Sequence, residues 1–283
     1  MLLVSVQTKR ITDNTLVRNF NVTRELAITQ FKLKYTGSVL GYLWSLIKPL
    51  MIFGIMYAVF DLILKVGKGT VDFPLQLLVA VVLWTFFAET TNLAVVSITT
   101  NGSLVQRAFF PRSILVVANS ASAALTFLIN MTLIVVVAGS IGQLSFGLQS
   151  LMMIPLVLEL YLLILGAALL VSSLYVYFRD LAHIWEILLQ VLFYASGVVF
   201  PVSVVGASVL RHILLLNPIA QIIEDSRHAI VTQQAHVDWT ATILGGGGPG
   251  QWQVLIPIGL AFVVFGLGAL VFSRLSPQFA ENL

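Results

Sequence analysis

SILVVANSASAALTFLINMTLIVVVAGSIGQLSFGLQSLMMIPLVL, residues 113–158, contains no Asp, Glu, Lys or Arg. A helix needs about 20 predominantly apolar residues to cross the bilayer core, so this run is long enough for two crossings. GSIGQLSFGLQS, 139–150, is the short uncharged loop between them. The rest of the chain agrees. It is 58% hydrophobic and 10% charged, whereas soluble domains carry roughly 25% charged residues. Pro-rich and low-complexity linkers are absent, so the chain reads as one all-α integral membrane domain.

Six spans are expected, at about 38–64, 74–99, 114–140, 150–177, 184–205 and 252–273. They put both termini on one side, with Lys9, Arg10, Arg18, Arg24, Lys32, Lys34, Arg107, Arg112, Arg179 and Arg274. The other side carries Lys65, Lys68, Arg211 and Arg227. Basic residues gather in cytoplasmic loops, so both termini are expected in the cytoplasm. This bias marks orientation, not nucleic-acid binding. There are no cysteines, which excludes disulfides, zinc–thiolate sites and thiol nucleophiles. Residues 1–37 are polar and basic and do not read as a cleavable signal.

Three segments outside the spans stand out. VTRELAITQFKLKYT, 22–36, forms a wide apolar arc around a polar stripe of Glu25, Thr29, Lys32 and Thr36. Arg24, Phe31 and Lys32 fit a helix lying on the cytoplasmic membrane surface, capped by Asn21 or Thr23. TTNGSLVQRAFFPRSIL, 99–115, has turn chemistry at Asn101, a short helix from Leu104 and a break at Pro111. Arg107 and Arg112 flank Phe109 and Phe110, which fit either a docking surface or a lipid anchor. After span five, Pro201, Gly206 and Pro218 divide an apolar stretch into pieces too short to cross, which read as re-entrant or interfacial helices. In NPIAQIIEDSRHAIV, 217–231, Asn217 caps a helix and Pro218 occupies its first turn. Glu224 pairs with Arg227 and His228, and this polar side is expected to be a wet face at the outer surface.

No enzyme constellation emerges. GGGGPG, 245–250, lacks the Gly-Lys-Ser/Thr of a phosphate-binding loop, so the chain carries no ATPase motif. The four histidines form no HxxxH or HExxH pattern, and no metal site is expected. Glu89 and Glu159 are ionisable residues at membrane depth and so candidates to face a polar path or pair with another chain, Glu89 among the channel-lining set, and both equally fit a place near an interface. Pro49 is expected to kink span one, while Gly37, Gly41 and Gly54 permit close helix approach. Tyr42, Trp44, Tyr57, Trp84, Phe193 and Tyr194 offer ring faces for a sugar path, and equally fit ordinary membrane packing. Two rival readings stay open. A membrane glycosyl or acyl transferase would draw on Glu224, Asp225 and His228, and a proton-coupled carrier would draw on Glu89.

KYTGSVLGYLWSLIKPL (34–50), LVQRAFFPRSIL (104–115) and LLLNPIAQIIEDSRHAIV (214–231) together resemble the permease subunits of type-2 ABC exporters for O-antigens, capsules and teichoic acids. The resemblance covers nearly the whole chain. It implies a homodimer paired with two copies of a separate ATPase subunit, which binds ATP and Mg while this chain binds no cofactor. It implies a cytoplasmic segment 1–37 with an interface helix, a membrane domain 38–273 and a cytoplasmic tail 274–283. Residues 100–113 would be the coupling loop, with Asn101, Leu104, Arg107, Phe109, Phe110, Pro111 and Arg112 against the ATPase. Residues 201–235 would be the external gate, with Pro201, Asn217, Pro218, Glu224 and Arg227. The implied cargo is a lipid-linked polysaccharide, and the chain is most similar to the actinobacterial branch, which exports lipid-linked galactan. Lys48 departs from the uncharged polar residue common in relatives and receives no transport role.

Overall fold

The computed structural model describes residues 2–65, 72–107, 111–140, 148–200, 214, 216–232 and 255–282. Phe109, Phe110, Pro201 and the GGGGPG run lie outside the described residues, as does the side chain of Arg107.

Helix α1 spans Leu2–Tyr35, far longer than the expected 22–36. No Gly or Pro interrupts residues 2–36, so nothing stops the helix. The caps expected at Asn21 or Thr23 are therefore corrected. The helix runs through both, and the Thr23 hydroxyl donates back to the Asn19 carbonyl at 2.8 Å. Gly37, at φ +83°, ends it. A tight turn at Gly41–Leu43 leads into α2, Trp44–Tyr57, which continues through a wider π-helical turn at Ala58–Ile63. Helix α3, Phe73–Val95, is entered through Asp72 at φ 52°, with Pro74 in its first turn. Short α4, Ser97–Thr100, and α5, Gly102–Arg107, follow. Next come α6, Ser113–Ser140, α7, Met153–Tyr177, and α8, Leu181–Ala195. The chain continues with α9, Pro218–Arg227, α10, Leu255–Leu275, and α11, Phe279–Asn282.

Among the described residues, 5 helices are long and apolar enough to cross a membrane: Gly41–Ile63, Phe73–Val95, Ser113–Ser140, Ser150–Tyr177 and Ile256–Asn282. The expected fifth span, 184–205, needs correction. Its helix starts earlier and stops at Ala195, shorter than a crossing, because Ser196 and Gly197 (φ +60°) turn the chain.

Helix α3 is the hub. Leu77, Leu78, Val79, Ala80, Val82 and Thr90 to Thr91 are each fully buried, and α2, α6, α7, α8 and α9 pack around it. A helix apolar on every side belongs inside a bundle. Phe86 stacks on Phe127 of α6 at 4.4 Å, and the Trp185 indole N–H of α8 donates to the Thr91 hydroxyl at 3.3 Å.

Lipid tails are as apolar as leucine, so helices here associate by close packing rather than by leaving water. Helices α7 and α10 show how. A Cβ on Gly166 would meet the Phe265 Cα at 2.5 Å, and one on Gly268 would overlap the Gly166 carbonyl. The packing role expected of Gly37, Gly41 and Gly54 is corrected accordingly. A Cβ at any of the three meets nothing within 4 Å, and Gly37 and Gly41 serve turns at positive φ.

Candidate functional site

The two ends of α3 organise two separate polar regions. At its C-terminal end lie α4, α5 and the chain terminus. Asn101 joins α4 to α5. Its amide donates to the Ser97 carbonyl at 2.8 Å, while its own carbonyl accepts the N–H groups of Leu104 and Val105 at 2.9 and 3.1 Å. Val105 is buried in a cluster with Ile98, Leu115, Phe272 and Phe279, whereas Leu104 is exposed. Pro111 is exposed, and the Arg112 guanidinium donates to the Ser276 carbonyl. Phe279, fully buried, meets Phe272 edge-on at 5.5 Å, and the Tyr177 hydroxyl donates to the Leu275 carbonyl at 3.3 Å. The last turn of the chain thus underpins α5. Sequence reasoning treated it as a tail, and the signal it passed over was one aromatic, Phe279, three residues beyond Ser276.

At the N-terminal end of α3 lies α9. Asn217 caps it as expected, accepting from the Ile219 N–H at 3.0 Å. Its amide donates to the Ala195 carbonyl at 3.2 Å and the Ser196 hydroxyl at 2.9 Å, tying α9 to the end of α8. Pro218 fills the first turn. The expected ion pairs form, with Arg227 to Glu224 at 3.0 Å and His228 to Glu224 at 3.9 Å. Their setting is the correction. Gln221, Glu224, Asp225 and Arg227 are each at most 5% exposed, so this is no wet face. The Arg227 guanidinium also donates to the carbonyls of Gly197 and Val198, both at 2.9 Å, and of Phe200 and Gln76, both at 3.3 Å. Three of these carbonyls, those of Gly197, Val198 and Phe200, belong to the turn after α8, and a buried guanidinium can satisfy several at once. Burial, then the nearby Glu159 and Glu224, push the Asp225 carboxyl up to about 7, against a hydrogen bond from Gln221 at 3.2 Å. Burial lowers His228, with Glu224 and Arg227 acting in opposite directions.

Between α1, α2, α3 and α6 is a cavity of about 620 Å³. Helix α1 packs along α6, and its last turn brings Lys34 to Glu89 as an ion pair, with the Thr126 hydroxyl at 3.5 Å. Burial alone pushes the Lys34 ammonium down. The charge and hydrogen bond of Glu89, with Tyr35, more than offset this and leave it above its usual value. Earlier on α1, Arg24 and Glu25 are exposed and 3.5 Å apart, Lys32 is exposed and Phe31 half-buried. Phe31 stacks on Tyr42 at 5.4 Å.

The aromatic candidates separate. Trp84 is 8% exposed in the core, edge-on to Phe193 at 5.5 Å. Tyr42, Trp44 and Tyr194 are exposed, and Tyr57 is half-buried on Phe53 at 5.9 Å. Among the described residues no three His, Asp or Glu side chains gather as metal ligands.

Known proteins give this arrangement its relatives. The chain is 25% identical over 253 residues to the O-antigen export system permease protein RfbA of Klebsiella pneumoniae, covering 89% of this chain and 91% of that one. The Myxococcus xanthus protein of the same name is 25% identical over 213 residues, 73% and 80% of the two chains. The polysialic acid transport protein KpsM of Escherichia coli is 26% identical over 212 residues, again 73% and 80%. A family profile described as ABC-2 type transporter matches residues 22–231, from the second half of α1 through α9, and the chain therefore belongs to the ABC-2 type transporter family.

Proposed function

We propose that this chain is the membrane permease subunit of an ATP-driven exporter. It moves a lipid-linked polysaccharide from the cytoplasmic leaflet across the bacterial inner membrane. The observation that carries this is the alignment of nearly nine-tenths of the chain with an O-antigen export permease. Six crossings, with α8 and the residues after it as the fifth, hold both termini in the cytoplasm. Two copies work together, and the exposed faces of the π-helical turn after α2 and of α8 accord with that, carrying Val59 and Leu62 on one and Ile187 and Val191 on the other. Two copies of a separate ATPase bind ATP and Mg.

In this reading the ATPase grips α5, around Asn101, Leu104, Arg107 and the Phe109–Arg112 segment, and also the exposed Arg24 side of α1. Nucleotide-driven closure pushes on α5. The push passes through Arg112 and Phe279 to α10, and through Val105 and Ile98 to α3. The two permeases shift against each other, and the glycan moves past Tyr42, Trp44 and Tyr194. Helix α9 closes the outer end. Glu224 is committed to Arg227 and Glu89 to Lys34, which leaves neither poised for transferase or proton-carrier chemistry.

The test is reconstitution. Affinity purification of the chain from its native host recovers an ATPase subunit, and the pair exports glycan in proteoliposomes only with ATP. Export by the permease alone overturns the reading. The actinobacterial resemblance makes lipid-linked galactan the first cargo to load.

A further inference from the structure

The cavity between α1, α2, α3 and α6 is electrically unbalanced. Among the described residues, three charged side chains line it: Lys34, Lys48 and Glu89. Glu89 is taken by Lys34. Lys48 has no ion-pair or hydrogen-bond partner among the described residues, although it lies inside the first span. Lys48 is exposed and stands seven residues beyond the start of that span, so its long stem reaches the bilayer edge, where an anionic headgroup is a natural counter-charge. On the α6 wall, Asn130 is 3% exposed and its side-chain oxygen has no partner. A buried amide left unsatisfied calls for a ligand, and turned about its last bond it offers N–H donors to an anion. Beside these groups, Trp44, Met51 and Ile55 of α2 line the same cavity and are exposed along their helix. The fitting ligand has an anionic head and a hydrocarbon tail.

We propose that this cavity seats the phosphoryl headgroup of a membrane lipid, with Lys48 as its counter-ion, Asn130 and Lys34 as further donors, and Trp44, Met51 and Ile55 along its chain. Two sources carry that chemistry, a bulk anionic phospholipid and the lipid anchor of an exported glycan. In the second case the inference deepens the export reading and rests on it.

Binding is measured on the purified full-length permease in detergent micelles with fluorescent dioleoyl phosphatidic acid. Lys48→Met weakens binding at least tenfold, Asn130→Asp does likewise, and Lys48→Arg stays within threefold of wild type. Lys65→Met, outside the cavity, changes nothing. All variants elute as single species, which separates ligand loss from misfolding. Unchanged affinity in Lys48→Met overturns the proposal. So does equal competition by phosphatidylcholine, which lacks net charge, or by inorganic phosphate, which lacks the chain. Export in proteoliposomes with the ATPase then identifies the source. Glycan export falls at least tenfold in Lys48→Met with ATP hydrolysis retained if the anchor is the occupant, and stays normal if bulk lipid is. Lipid binding is read without ATP or glycan, so failure of wild-type export with lipid binding intact counts against the export reading alone.

Discussion

Arg227 makes five hydrogen bonds from a position 2% exposed to solvent. Removing one partner of a buried ion pair costs about 3–5 kcal/mol, because the other charge stays buried and uncompensated. Arg227→Met should therefore lower the melting temperature sharply in detergent, with Glu224→Gln added to it restoring part of the loss. Arg227→Lys should rescue little, since an ammonium lacks the fork that reaches four carbonyls. Asp225 carries a different expectation. Its carboxyl is raised to about 7 when folded, from an unfolded value of 3.8, so the folded chain holds the extra proton. Stability contributed by that proton is complete below the unfolded value and falls as pH climbs toward 7. Glu159 and Glu224 act on it from nearby, and Asn at this position keeps the partner Gln221 without the charge. Asp225→Asn should melt higher than wild type at pH 8 and no differently near pH 4, as read by intrinsic fluorescence. The Glu224 pairings were legible in the spacing of NPIAQIIEDSRHAIV. Their burial was not, because the residues that cover them come from α3 and the turn after α8, distant in sequence.

Helices α7 and α10 approach so closely at Gly166 and Gly268 that a methyl group on either would collide with backbone. Gly268→Val and Gly166→Val should abolish recovery of monodisperse protein, whereas Gly54→Ala, facing open space, should leave it intact. Size-exclusion profiles from equal cultures decide this. The glycines that matter were hidden among many small residues, because the backbone that presses on them belongs to a helix about a hundred positions away. Helix α5 makes the complementary point. Its start was readable from Asn-Gly-Ser, but its support was not, since Phe279 arrives from the other terminus. Phe279→Ala removes a fully buried ring, a change worth about 3–5 kcal/mol. It should also reduce glycan export per ATP hydrolysed by the reconstituted complex, because α5 loses its footing on α10. Helix α1 ran past its expected start for a simpler reason, as thirty-odd residues without Gly or Pro offer no signal of where a helix begins.

Across the whole molecule, composition and the uncharged run at 113–158 were enough to read an all-helical membrane bundle, and span positions followed within a few residues except at α8. Apolar content after Ala195 disguised a Ser-Gly turn, and only geometry exposes such a break. The absence of native cysteine makes the topology directly testable. Single replacements Glu281→Cys and Asn14→Cys should react with an impermeant maleimide only in inverted vesicles, and Lys65→Cys only in intact cells with a permeable outer layer. Labelling of Lys65→Cys and Glu281→Cys from the same side would sink the six-crossing arrangement. Helix α3 carries one last consequence, for how the protein is made. It is the least apolar of the five span-length helices and also the most enclosed by protein. Leaving the insertion machinery alone would expose Gln76, Glu89, Thr90 and Thr91 to lipid, at a cost its neighbours later remove. Its integration must then wait for α6 and α7 to be synthesised. A released chain truncated after residue 107 should leave Val79→Cys, buried in the full bundle, reactive toward a water-soluble maleimide, while one truncated after residue 180 should shield it.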